Sequence, residues 1–241
     1  MKIGLLQTHA IGDVIISLPI AQYLISQGHS VFWPLDSHYV KMFSEATEGS
    51  INFLPVSRDD SGFLSIDYFV NHPIRLLQEH SCETIFPLYS ALGEAGKGVV
   101  NQDYFRSLKF DEYKYAITGV PFSEKWNLKI QRDREREEKI FSSVYQNKPY
   151  IVLHETAGDG EVIHIKIPDQ IRSDFEIVTV DKVSDSIFDW ITVFERASGL
   201  FMIDSAHANL VEQLNIGINK HLKTRSSVSF TPVFKNGWIF I

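Results

Sequence analysis

The sequence predicts an α/β protein made of two successive β/α/β lobes. Three observations carry that expectation: a strand–turn–helix–strand unit at the N-terminus, a run of alternating charge signs at 131–140, and a restart of the strand–helix pattern at Lys148. A strand, a crossover helix and a second strand normally mean a parallel sheet with a right-handed connection. Such sheets bind ligands beyond the carboxyl ends of their strands, so the residues that follow each strand matter most for function.

In the first lobe, residues 2–7 form an apolar strand and 8–13 a polar tight connection. Val14, Ile15, Leu18, Tyr23 and Leu24 then keep helical spacing until Gly28-His29 supplies a stop. Residues 30–33 read as the second strand, and 51–55 and 84–88 as further ones, with helical patches at 73–80 and 104–108. The charged run 131–140 reads as a solvated helix face carrying i, i+4 ion pairs, and as a bridge between lobes. The expected boundaries are therefore 1–125 for the first lobe, 126–147 for a linker helix and 148–241 for the second lobe. There, strands are expected at 148–154, 175–181 and 200–204. An amphipathic helix is expected at 186–197, with Ile187, Trp190, Ile191 and Phe194 on one side, and another helix at 206–214. His164 and Lys166 alternate as on a strand.

Composition narrows the function. The 241 residues are 44% hydrophobic and 22% charged, with Pro and Gly at ordinary levels, which fits a globular chain and argues against disorder or low complexity. Lys and Arg number 23 against 30 Asp and Glu, for a net charge of −7, which argues against nucleic acid as the main partner. Cys82 has no partner for an internal disulfide, in keeping with a reducing compartment. The N-terminus lacks a signal-peptide core, and no stretch approaches the ~18 apolar residues of a membrane span, so a cytoplasmic location is expected.

At the strand ends, Asp13 beside Gly12 is either a helix-terminal carboxylate or a general base that accepts a proton from an attacking hydroxyl. Thr8 and His9 flank it, as orienters of a polar substrate or as loop residues. His154, Glu155 and Thr156 open a glycine-bearing polar loop whose backbone N–H groups suit a phosphate, which Lys166 would also reach if it is not simply a surface lysine. Asp204, Ser205, His207 and Asn209 form the densest polar cluster at a strand-to-helix junction. Capping explains Asp204 or Ser205, but not His207 and Asn209 as well, and a helix N-terminus lined by such donors suits a diphosphate.

Other chemistries lack their motifs. No metal site is expected, because the chain holds no His-x-x-x-His, no cysteine pair and no Asp-x-Asp. A Ser-His-Asp hydrolase lacks its Gly-x-Ser-x-Gly elbow. Gly93, Gly96, Lys97 and Gly98 do not have the spacing of a phosphate-binding P-loop. Trp33, Tyr68, Tyr89 and Tyr104 are stacking surfaces for sugars or, more simply, core residues.

The motif Ile11-Gly12-Asp13-Val14-Ile15-Ile16-Ser17-Leu18-Pro19-Ile20 resembles the opening motif of glycosyltransferase family 9, the heptosyltransferase-like enzymes. Phe201-Met202-Ile203-Asp204-Ser205-Ala206-His207-Ala208-Asn209-Leu210 resembles that family's donor-site signature, and 148–154 resembles the first strand of its C-terminal lobe. The resemblance implies a GT-B fold: two Rossmann-like lobes facing a cleft, the acceptor on the first and the nucleotide sugar on the second. It implies an inverting, metal-independent transfer with no cofactor beyond the nucleotide-diphosphate sugar. Asp13 would then be the base, with Thr8, His9 and Gly12 on the acceptor side. Asp204 and Ser205 would lie at the donor's diphosphate, with Lys166 assisting; the strand-end pattern adds His154, Glu155, Thr156, His207 and Asn209 on the donor side. The expected partners are a nucleotide sugar and a glycan or lipid-linked acceptor, the latter bringing peripheral contact with a membrane. A catalytically silent nucleotide- or sugar-binding protein and a nucleotide-sugar epimerase of the same fold are the alternatives.

Overall fold

A computed structural model describes residues 1–58, 65–89, 107–158, 160–181, 184–225 and 231–241. The chain divides into two compact units, Met1–Gln131 and Arg132–Ile241. No helix among the described residues is long and apolar enough to cross a membrane.

The first unit runs β1 (Lys2–Leu6), α1 (Ile11–Ser26), β2 (Ser30–Asp36), α2 (Ser37–Ala46), β3 (Asn52–Val56), α3 (His72–Glu79), β4 (Thr84–Pro87) and α4 (Phe110–Thr118). Among the described residues its four strands pair in parallel in the order β3-β2-β1-β4. Central β1 is buried from Ile3 to Leu6, and α1 buries Val14, Ile15, Ile16, Leu18, Ile20 and Ala21, as expected for a parallel sheet covered on its faces. Gly4 makes that cover close: a Cβ on it would lie 2.8 Å from Leu77 Cδ1 of α3.

The second unit comprises α5 (Arg134–Val144), β5 (Tyr150–His154), α6 (Asp169–Asp174), β6 (Glu176–Thr179), α7 (Ile191–Arg196), β7 (Gly199–Ile203), α8 (Ala206–Gln213), β8 (Asn219–Lys223) and β9 (Trp238–Phe240). Its parallel strands follow the order β6-β5-β7-β8-β9. Strands β5 and β7 are buried along their whole length, which explains why both read as continuous apolar runs.

Several expectations change. The charged run is not a separate linker at 126–147: the chain divides between Gln131 and Arg132, and α5 belongs to the second unit. Its charges reach across to neighbouring elements as well as along its own face: Arg136 pairs with Asp189 at 2.9 Å, Arg132 pairs with Glu195, and Glu137 accepts from Thr192 at 2.6 Å. Helix α1 starts at Ile11, where the Val14 amide bonds to Ala10 O at 3.0 Å, so Gly12 and Asp13 lie in the first helical turn instead of the preceding loop. Ala10 absorbs the sharp turn with φ 69, a conformation costly for a residue with a Cβ. The helix expected at 186–197 splits into a 3₁₀ turn (Ile187–Trp190) and α7. His164 and Lys166 lie on no strand; the chain there is a loop pinned by an isolated Thr156–Val162 bridge. Helix α4 escapes sequence reading because its buried face carries Asp111 and Lys114 beside Tyr113 and Tyr115, which erases apolar periodicity. Residues 104–106 of the short helix expected at 104–108, including Tyr104, lie outside the described residues, as do Gly93, Gly96, Lys97 and Gly98.

Candidate active site

In the first unit the carboxyl ends of β1, β2 and β4 bring together residues distant in sequence. Asp13 does not cap α1; its Oδ1 lies 2.9 Å from Lys114 Nζ on α4. The Lys114 side chain is 0% exposed, and its ammonium also donates to Gln7 Oε1 and to Leu88 O, both at 2.7 Å. Three acceptors thus satisfy the three N–H bonds of a buried cation that would otherwise be prohibitively costly. The Asp13 side chain remains 32% exposed, so one oxygen is anchored while the carboxylate stays open to a reactant. Gly12 is half-buried beside it.

Thr8 has no surface to offer a substrate: it is 0% exposed, and its amide donates to Tyr89 Oη at 2.7 Å. Its contribution is positional, since Thr8 O also accepts the Asp36 amide at 2.8 Å. Asp36 closes β2 and is fully buried. It accepts from Tyr68 Oη at 2.6 Å, Arg58 Nε at 2.9 Å, the His38 amide at 3.0 Å and His38 Nδ1 at 2.8 Å. Burial alone would raise its pKa, but these hydrogen bonds outweigh burial and hold the carboxyl well below the usual range. His9 borders the network, with Nδ1 3.5 Å from Asp36 Oδ2 and 3.4 Å from Arg58 Nη2. Burial first, then the Arg58 charge, depress the His9 pKa against the pull of Asp36. Trp33 is core, with its indole N–H on Gln7 O, and the Tyr68 and Tyr89 hydroxyls are used as just described.

In the second unit the cluster is narrower than the sequence suggests. His154 ends β5 and Ser205 caps α8, with Ser205 Oγ 3.1 Å from His154 Nδ1 and accepting the Ala208 amide at 3.3 Å. The His154 and His207 rings lie 4.5 Å apart between centroids. Asn209 folds back to donate to Ser205 O at 2.9 Å. Asp204 serves neither as cap nor as an open group: it is 3% exposed, and its Oδ1 accepts the Arg225 amide at 2.8 Å and Arg225 Nε at 3.0 Å. Glu155 is engaged within its own loop, accepting the Ile165 amide and pairing with His164 at 3.5 Å. Thr156 is half of the loop's isolated bridge, and exposed Lys166 has no hydrogen bond or ion pair to the Ser205 group among the described residues.

Burial, and secondarily the Arg225 charge, push the His154 imidazole down to about 4, and burial with His154 beside it pushes His207 well below its ordinary value. Both are depressed relative to the unfolded chain, so their contribution to stability is complete above pH 6.5 and is lost as pH falls toward 4. For His154 alone this amounts to about 3 kcal/mol. Urea midpoints at pH 7 and pH 4.5 are expected to differ less in His154→Gln than in the parent; equal differences would contradict the assignment.

Sequence reading missed Lys114, Asp36, Arg58 and Arg225, and took Tyr68 as a stacking or core residue without its hydroxyl's role on Asp36. The strand-end rule finds Asp36 once β2 is followed to its true end, three residues beyond Trp33. Nothing in the sequence marks Lys114 or Arg225. Among the described residues no group of three or more His, Cys, Asp or Glu side chains is arranged to hold a metal ion.

No family model and no curated protein matches the chain. Solved structures do match it. A family 9 glycosyl transferase from Veillonella parvula DSM 2008 aligns over 100% of this chain and 85% of its own, at 12% identity and a TM-score of 0.61. The E. coli ADP-heptose LPS heptosyltransferase II aligns over 100% and 90%, at 12% identity and a TM-score of 0.62. An E. coli heptosyltransferase with ADP-2-deoxy-2-fluoro heptose aligns over 100% and 93%, at 12% identity and a TM-score of 0.55. The chain therefore has the α/β fold of the family 9 glycosyltransferases and heptosyltransferases.

Proposed function

We propose that this protein is a glycosyltransferase that moves a sugar from a nucleotide-diphosphate sugar to a hydroxyl of a glycan or lipid-linked acceptor, inverting the anomeric centre without a metal. The observation that carries the reading is Asp13, a partly open carboxylate anchored by a buried lysine at the carboxyl end of β1, in a fold shared with solved family 9 transferases.

In this reading the acceptor O–H gives its proton to Asp13, and its oxygen attacks the anomeric carbon. The bond from that carbon to the diphosphate breaks, and its electron pair leaves on the nucleoside diphosphate. One displacement of this kind inverts configuration. Lys114 is a positioning residue: its three hydrogen bonds fix the carboxylate, so no reorientation is needed as the proton moves. His9, beside Arg58 and Asp36, is the polar group on the acceptor side. In the second unit, Ser205, His154 and the first-turn amides of α8 suit the diphosphate, because anions are favoured at helix N-termini. The heptosyltransferase structures with ADP and with an ADP-sugar analogue support a donor of this class.

A thermal-shift screen against ADP, GDP, UDP and CMP tests the donor side. A ligand present at 100 times its Kd adds about 2.7 kcal/mol, which corresponds to a rise on the order of 5–10 °C for a chain of this size. A rise with at least one of the diphosphates, followed by transfer of its sugar to an acceptor, is expected. No rise with any of the four overturns the donor assignment.

A further inference from the structure

We infer that Arg225 is the side chain that grips the donor's diphosphate in the second unit, the task that the family resemblance implies for Lys166. The inference rests on the nucleotide-sugar reading above and goes beyond it by naming the cation and the geometry that aims it.

Arg225 lies two residues past β8, the strand beside β7, and Asp204 follows β7 directly. Asp204 holds it from one side only. The Arg225 amide and Nε both bond to Asp204 Oδ1, and Nε also bonds to Asp204 O at 2.7 Å. A guanidinium tied at Nε keeps its outer edge, the two Nη groups, for another acceptor. Among the described residues those Nη groups make no hydrogen bond, and the side chain is 35% exposed. An Arg fork offered by its outer edge matches two oxygens of a phosphate, which a lysine ammonium does not.

The anchor also sets the location. Asp204 is the residue before Ser205, so the fork is tethered beside the start of α8, where the Ala206 and His207 amides have no acceptor among the described residues. Arg225 is also the charge that, after burial, disfavours protonation of His154, so its field reaches the imidazole bonded to Ser205. One anion at this place would meet the fork, the Ser205 hydroxyl and two amides. Nearby lysines are engaged elsewhere: Lys223 Nζ donates to His164 O at 2.8 Å, and Lys220, 2% exposed, donates to Ile216 O at 2.8 Å. The Asp204 carboxylate, 2% exposed, is paired by the Arg225 amide and Nε and does not use the Nη groups. A buried carboxylate that orients an exposed fork is therefore better explained by what the fork binds.

The test is calorimetry on the full chain with the nucleoside diphosphate that stabilises it, the matching nucleoside, and inorganic pyrophosphate as competitor. Arg225→Met is expected to weaken the nucleoside diphosphate about 10–100-fold and to abolish pyrophosphate competition, with nucleoside affinity unchanged. Arg225→Lys is expected to recover only part of the loss, and Lys166→Met to stay within about threefold of the parent. In transfer assays the Arg225→Met loss should fall mainly on donor KM. Should Arg225→Met fold poorly, Arg225→Lys retains a cation at the site and carries the comparison with Lys166→Met. Parent-level diphosphate affinity in a folded Arg225→Met, or a loss in Lys166→Met instead, overturns this inference and leaves the donor reading standing. A parent protein that binds no nucleoside diphosphate overturns the donor reading and this inference with it.

Discussion

Asp13→Asn is expected to fold as the parent does and to lose about 10²–10⁴-fold in turnover, the usual worth of a general base. The fold should survive because the asparagine carbonyl still accepts from Lys114, while Gln7 and Leu88 keep their own bonds to the same ammonium. What disappears is a group able to take the acceptor's proton. Donor KM should barely move, because the residues assigned to the diphosphate lie in the other unit. Asp13→Ala is a poorer probe, since it removes the proton acceptor together with one of the three acceptors of a buried cation. Turnover within about threefold of the parent in a folded Asp13→Asn, measured by release of nucleoside diphosphate, would sink the mechanism.

Lys114→Met is expected to cost about 3 kcal/mol of stability, on the order of 10 °C in Tm, and to reduce turnover as well. Removing the ammonium leaves Gln7 Oε1 and Leu88 O without the donor they now share, and buried acceptors left unpaired cost about 1–3 kcal/mol each. The loss sits at the low end for a broken buried pair, because Asp13 is one-third exposed and water can solvate it. Thermal unfolding reports the stability term. The turnover term separates positioning from folding: measured well below Tm, a folded Lys114→Met should still be slower than the parent, because its Asp13 is no longer anchored. Parent-like turnover at that temperature would reduce Lys114 to a structural role.

How much of this was legible differs between elements. Strands β1, β5 and β7 are unbroken apolar runs because parallel strands are covered on both faces, so they can be read from composition alone. Helix α1 is legible for the same reason, but its start is not: the turn at Ala10 uses a backbone conformation that no glycine or asparagine announces. Helix α4 is invisible because the residues it buries include Asp111 and Lys114, and Asp111 is neutralised by Lys125 at 2.7 Å in a fully buried pair. Periodicity detects apolar burial and is blind to paired charges.

The site divides in the same way. Local pattern alone is enough to read a chain of two parallel β/α units, with His154 ending a strand and Asp13 and Ser205 at the start of the helices that follow β1 and β7. Which charges meet depends on how elements distant in sequence pack. Lys114 reaches Gln7 across 107 positions and Tyr68 reaches Asp36 across 32. Arg225 reaches Asp204 across 21, and Asp204 is thereby engaged as an anchor instead of lying open to a ligand. Burying a charge is tolerable only when a partner of complementary charge and geometry is buried with it. The partner is supplied by whichever element the fold packs alongside, and local sequence spacing carries no record of that choice.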